Sequence, residues 1–234
     1  MGIEWHAAMW CKNDERRLED FIVVDEATGV LFCFSTSAGF SVFEQTAADA
    51  LRRALSSTSW AVASPTQAFA SVASAFNAEC NGDIDDPFDA FDAFDATLLT
   101  VVAKDDNVAA SWTGCGRLLQ LRAGTLVGET TPHTVQRQMV EEQGARPEAI
   151  PEAYSLMMAR SLSSRAPETA LFPTAPGDVV VVLHDIFGRH VAASDVAKAV
   201  AGRSPEQAVC AVIEDVRCDH GDPFVKACAV GVVT

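Results

Sequence analysis

Apolar runs and spaced apolar stripes divide the chain into strands and helices. The run Val-Val-Val-Val-Leu at residues 179–183 follows a Pro176-Gly177 turn and predicts a buried strand, with Asp185 just past its far end. Residues 21–24 and 30–34 are short apolar runs around a turn at 25–29, the pattern of a hairpin. Strands are also predicted over 5–10, 98–103, 108–112, 118–122 and 225–233; the three from 98 to 122 read as a meander, with turns at 104–107 and 123–124. Helical spacing lies between the strands. Phe43, Ala47, Leu51 and Leu55 recur every fourth residue, and the capping box Ser64-Pro65-Thr66-Gln67 precedes the stripe Phe69, Val72, Ala73 and Phe76. Further helices are predicted from Val135, from a cap at Ser194 to Gly202, and from a second capping box at Ser204-Pro205-Glu206-Gln207.

With 234 residues, 49% of them hydrophobic, the chain can bury one substantial core and is read as a single domain, 1–234. No apolar run approaches the ~20 residues that span a bilayer, and the opening Met-Gly-Ile-Glu-Trp-His lacks the regions of a signal peptide, so a cytoplasmic protein is expected. The seven cysteines are an odd number without a close pair, against both a disulfide framework and a zinc site. A net charge of −15 argues against nucleic acid or an anionic membrane as partner. Residues 81–96 form an acidic, low-complexity surface loop in which the triplet Phe-Asp-Ala starts at Phe88, Phe91 and Phe94. An EF-hand would need glycine and glutamate where Phe88 and Phe94 stand, so calcium is excluded there; the three phenylalanines either dock on the body or offer a partner-binding motif.

Several segments, in order, resemble the metal-dependent type 2C (PPM) protein serine/threonine phosphatases. Glu19-Asp20 precedes the hairpin as in that family, Gly114 and Arg117 match its Val-Gly-Asp-Ser-Arg, and Pro132-His133-Thr134 resembles its Asp-His-Ser. Pro176-Gly177-Asp178, the apolar strand and Asp185 match its Pro-Gly-Asp turn and metal motif, and Asp222 matches the aspartate before its closing strand. Residues 144–155 stand where the family has a flap. The resemblance implies an α+β fold, a four-layer α-β-β-α sandwich with two central antiparallel sheets flanked by helix pairs.

The departures fall on the chemistry. Thr36 and Ser37 replace the family's Asp-Gly after the second strand, Cys115 replaces a further aspartate, Ile186 the glycine of the metal motif, and Glu15 stands at the spacing of its arginine. The family's aspartate at position 36 bridges two divalent cations, and a neutral hydroxyl cannot supply that shared charge to hard Mg²⁺ or Mn²⁺ ions. Glu19, Asp185 and Asp222 remain as residual metal ligands, for no ion or one weakly bound Mg²⁺ or Mn²⁺. His133 is a weak general-acid candidate against a structural role, and Cys115 has no activating base nearby in sequence. The resemblance with these departures implies a pseudophosphatase that binds or regulates a protein partner, such as a phosphoprotein, a kinase or a phosphatase. The alternative is a divergent phosphatase with a reduced metal site.

Overall fold

The computed structural model describes residues 2–11, 18, 22–25, 28–36, 53, 64–81, 96–114, 116–155, 157–159, 166–189, 191–218 and 225–234. Among the described residues ten strands and five helices have defined ends, in order: β1 (Ile3–Cys11), β2 (Ile22–Asp25), β3 (Val30–Thr36), α1 (Pro65–Asn81), β4 (Ala96–Lys104), β5 (Asn107–Thr113), β6 (Arg117–Arg122), β7 (Thr125–Glu129), α2 (Val135–Gln143), β8 (Glu168–Pro173), β9 (Val179–Leu183), α3 (Asp185–Arg189), α4 (Ala193–Val200), α5 (Pro205–Asp215) and β10 (Val225–Val233). The strands form two five-stranded sheets, ordered β1-β10-β9-β6-β7 and β2-β3-β4-β5-β8. Every pairing is antiparallel.

The layering follows from side-chain alternation. Along β9, Val180 and Val182 join Leu31, Leu99, Trp112 and Leu118 between the sheets, whereas Val181 and Leu183 face Val196, Val209 and Val212 of α4 and α5. A strand covered on both faces has no use for polar residues, which is why its sequence is an unbroken apolar run. The second sheet carries α1 on its outer face, where Phe69, Val72 and Phe76 pack on Phe32, Phe34 and Leu98. The α-β-β-α arrangement is thus present. Of the helix expected over 42–55 only Arg53 is described, in helical conformation, and most of the acidic loop, including Phe88, Phe91 and Phe94, lies outside the described residues.

Local signals account for the ends of elements. The capping boxes at Ser64 and Ser204 both form, each serine oxygen accepting from the amide three residues on and each glutamine returning the bond. Ser194 does not cap α4, which starts at Ala193 with Ala192 in the cap position and no side-chain bond. The expected meander is also corrected. β5 stays beside β4, but β6 crosses to the other sheet and pairs with β9 and β7. The crossing is made at Gly114, whose φ of 87° is a conformation that side chains disfavour.

Asp178, from the Pro-Gly-Asp turn, ties the crossing strand to the turn before β9. It is buried; its carboxylate accepts from Arg122 Nε and Nη2 at 2.9 and 2.8 Å, from Gln120 Nε2 at 2.9 Å and from the Ala175 amide at 3.0 Å. Its pKa is held below the usual carboxylate value, first by the Arg122 hydrogen bonds and then by Ala175 and Gln120, against the opposing effect of burial. The ionised form therefore stabilises the fold above the unfolded-state pKa, and that contribution is lost as pH falls through the lower native value. Asp178→Asn is expected to lower the Tm at neutral pH and to flatten its fall as the solution is acidified below the ordinary carboxylate pKa. Parallel acid-limb melting curves for wild type and variant would contradict this.

The chain ends lie together at one edge of the first sheet, where the Thr234 amide donates to the Gly2 carbonyl at 3.0 Å and the Gly2 amide returns a bond at 3.4 Å. Every residue of β1, from Ile3 to Cys11, is paired with β10.

Candidate functional site

Asp185 is the chemical group that the fold sets most deliberately. β9 delivers it past Leu183 and His184, and the His184 amide donates to the Ala227 carbonyl at 2.9 Å, so the backbone is held to β10 up to the residue before it. Asp185 then opens α3 and is only 5% exposed. Its charge reaches the opposite sheet: burial, and next Asp185, push the Cys33 thiol well above its ordinary pKa. Cys33 lies in β3, three residues before Thr36, the last residue of that strand, which pairs with Ala96. Cys33 shares the core between the sheets with Val180 and Val182 of β9.

Among the described residues, a cation faces Asp185. Arg189, one helical turn on, places Nε 3.4 Å from Asp185 Oδ1 and 3.4 Å from the Asp185 carbonyl. Phe187, fully buried among Leu183, Val191 and Val212, anchors the helix between them. Arg117, at the start of β6, holds the far end of this segment, donating from Nη1 to the Val191 and Gly188 carbonyls at 2.9 and 3.4 Å while Nη2 meets Glu129 Oε2 at 2.7 Å. A cleft of about 160 Å³ opens beside these groups, and Arg117, Arg189, Thr131, Thr134 and Ser155 contribute to its walls.

His133 lies behind that cleft and is 1% exposed. Its Nδ1 accepts from the Gly114 amide at 3.1 Å, so the ring proton belongs on Nε2, which faces Glu168 Oε1 at 3.2 Å. The ring stacks on Trp112 with centroids 6.0 Å apart. Glu168 also takes Arg137 Nη2 through both oxygens, at 2.8 and 3.0 Å. Burial raises the Glu168 pKa, but the Arg137 hydrogen bonds and His133 outweigh it and hold the carboxyl below its ordinary value. The backbone beside His133 grips the far end of the flap-like stretch: the Ala159 amide donates to the His133 carbonyl, and the Val135 amide to that of Met157, both at 2.8 Å. The flap-like stretch itself opens at Gly144, the left-handed cap of α2, and runs through two short 3-10 turns at Pro147–Ala149 and Glu152–Ser155.

Of the residues singled out in the sequence, Asp185 and His133 are placed with their side chains, and Thr36 and Ile186 are placed as backbone in β3 and α3. Glu19, Ser37, Cys115 and Asp222 lie outside the described residues. Arg189, Arg137 and Glu168 carried no sequence prediction. Arg189 could have been found from its i,i+4 spacing to Asp185 had residues 185–189 been read as helix. Among the described residues, no group of three or more His, Cys, Asp or Glu side chains is placed to hold a metal ion. Of the residues singled out as metal ligands, only Asp185 is placed with its side chain, and it faces the Arg189 guanidinium.

No family model matches the chain, and no curated protein matches it in sequence. Solved structures do. MsPP, a PPM Ser-Thr phosphatase from Mycobacterium smegmatis in complex with cacodylate, superposes with a TM-score of 0.73 at 17% identity, covering 100% of both chains. The catalytic domain of the serine/threonine phosphatase PstP, in complex with two manganese ions, gives 0.70 at 16% identity over 99% of this chain and 98% of that one. PppA, a regulatory component of T6SS in Pseudomonas aeruginosa, gives 0.71 at 15% identity over 100% and 99%. The fold is that of the PPM-type serine/threonine phosphatases over the whole chain. No helix among the described residues is long and apolar enough to cross a membrane.

Proposed function

We propose that this chain, with a PPM-type phosphatase fold from end to end, is a catalytically inactive phosphatase-like protein of the cytoplasm that binds or regulates a protein partner. The partner class is a phosphoprotein, a kinase or a phosphatase. The observation that carries the reading is Thr36 at the end of β3, the strand whose Cys33 feels the charge of Asp185. Hydrolysis by two metals needs both ions to clamp and activate one water, and a shared carboxylate is what holds such a pair together. A threonine hydroxyl brings no charge to either ion. Cys115 and Ile186 stand at two further positions where the resembled motif has aspartate and glycine. The cleft walled by Arg117, Arg189 and Thr134 is then a surface for contact, free of the geometric demands of turnover.

The test is hydrolysis of an aryl phosphate with and without Mn²⁺. Wild type is expected to show no metal-dependent turnover, and Thr36→Asp alone to recover none, because the site departs at several positions. Mn²⁺-dependent turnover by wild type, abolished by Asp185→Ala, would overturn the reading in favour of a divergent phosphatase using Glu19, Asp185 and Asp222 around one ion, with His133 assisting.

A further inference from the structure

We infer that Asp185 takes its counter-charge from the protein's own Arg189, so that this carboxylate is closed to divalent cations. The inference deepens the reading above and rests on it for the meaning of the site. A carboxylate as buried as Asp185 needs a compensating charge, and a guanidinium on the same helical turn supplies one that is permanent.

Its position is built. Phe187 fixes the helix from below, Arg117 holds the carbonyls of Gly188 and Val191 on either side of Arg189, and the Arg189 side chain is itself 14% exposed. A divalent ion brought to ligand distance from Asp185 would sit a few ångströms from that guanidinium. The repulsion between charges of two and one is twice that between two unit charges at the same spacing, in surroundings that screen poorly. Moving Arg189 aside would also break its bond to the Asp185 carbonyl. The same residue lines the cleft, so the group that excludes the cation is exposed to whatever enters there.

The experiment uses metal-stripped full chain, with Mn²⁺ as the probe, read by thermal melting and by the fraction of Mn²⁺ left free in solution. Wild type is expected to keep its Tm and to bind no Mn²⁺ at Asp185. Arg189→Met removes the charge and keeps the bulk, and should lower the Tm by roughly 5–10 °C. Part of that loss should return on adding Mn²⁺. Asp185→Asn combined with Arg189→Met removes both charges, should melt near wild type, and should be indifferent to Mn²⁺; it keeps the inference testable if the single variant fails to fold. Mn²⁺ binding by wild type that Asp185→Asn abolishes would overturn the inference, as would a double variant no more stable than Arg189→Met. Mn²⁺ binding without turnover sinks this inference alone, whereas turnover sinks the proposed function.

Discussion

Gly114→Ala is expected to cost about 3–5 kcal/mol, enough to threaten folding of a marginally stable domain. Two effects add. The backbone sits at φ 87°, and a methyl there would fall on Cβ and Cγ2 of Thr97, a β-branched residue in β4 that is 2% exposed and cannot swing away. The glycine is held from its other side as well, because its amide and carbonyl both bond to His133, at 3.1 and 2.9 Å. Gly124→Ala is the control. Its φ is 78°, but nothing lies within 4 Å of the added methyl, so only the conformational cost of about 1–2 kcal/mol applies. Urea unfolding of the two variants separates strain from collision, and equal midpoints would show that the Thr97 contact does not matter.

Phe187→Ala should cost a similar amount, about 3–5 kcal/mol, by emptying a fully buried site among Leu183, Val191 and Val212. The ring has a second use. Lys226, only 4% exposed, sets its Nζ 5.8 Å from the ring centroid while donating to the Val216 carbonyl at 3.2 Å. Phe187→Leu keeps most of the volume and loses the aromatic face, so its cost should fall to about 1–2 kcal/mol. The denaturation midpoint should fall in both variants with the slope unchanged. Equal losses for leucine and alanine would mean that the ring face, and not filled volume, is what the site requires.

The strands that the sequence makes plain are the covered ones. β9 and β10 coincide with the apolar runs at 179–183 and 225–233 because each lies inside a sheet with a neighbour on both sides. β7 and β8 carried no such signal. Both are edge strands, and exposed Leu126, Val127 and Leu171 interrupt any clean alternation of inside and outside. The crossing of β6 was hidden for a different reason: periodicity reports which face of a strand is buried but not which sheet receives it. At the site, the departures at Thr36, Cys115 and Ile186 were legible as residue types against a resembled motif. The groups that surround Asp185 and His133 were not, since Glu168 lies 35 residues from His133 in sequence and meets it, and Arg137 behind it, only in the fold. Arg189 was missed because a single helical turn is too short to show a period.

The edge where Gly2 meets Thr234 sets an order of events for a newly made chain. β1 is synthesised well before β10, its partner in the sheet. β1 must therefore wait, with its hydrogen-bonding groups unsatisfied by protein, until β10 has been made. Contacts of that sequence separation form slowly, because closing the longest loop costs entropy before pairing repays it. The interval in which Trp5 and Met9 stay uncovered is when this protein is most exposed to aggregation, and most in need of a chaperone.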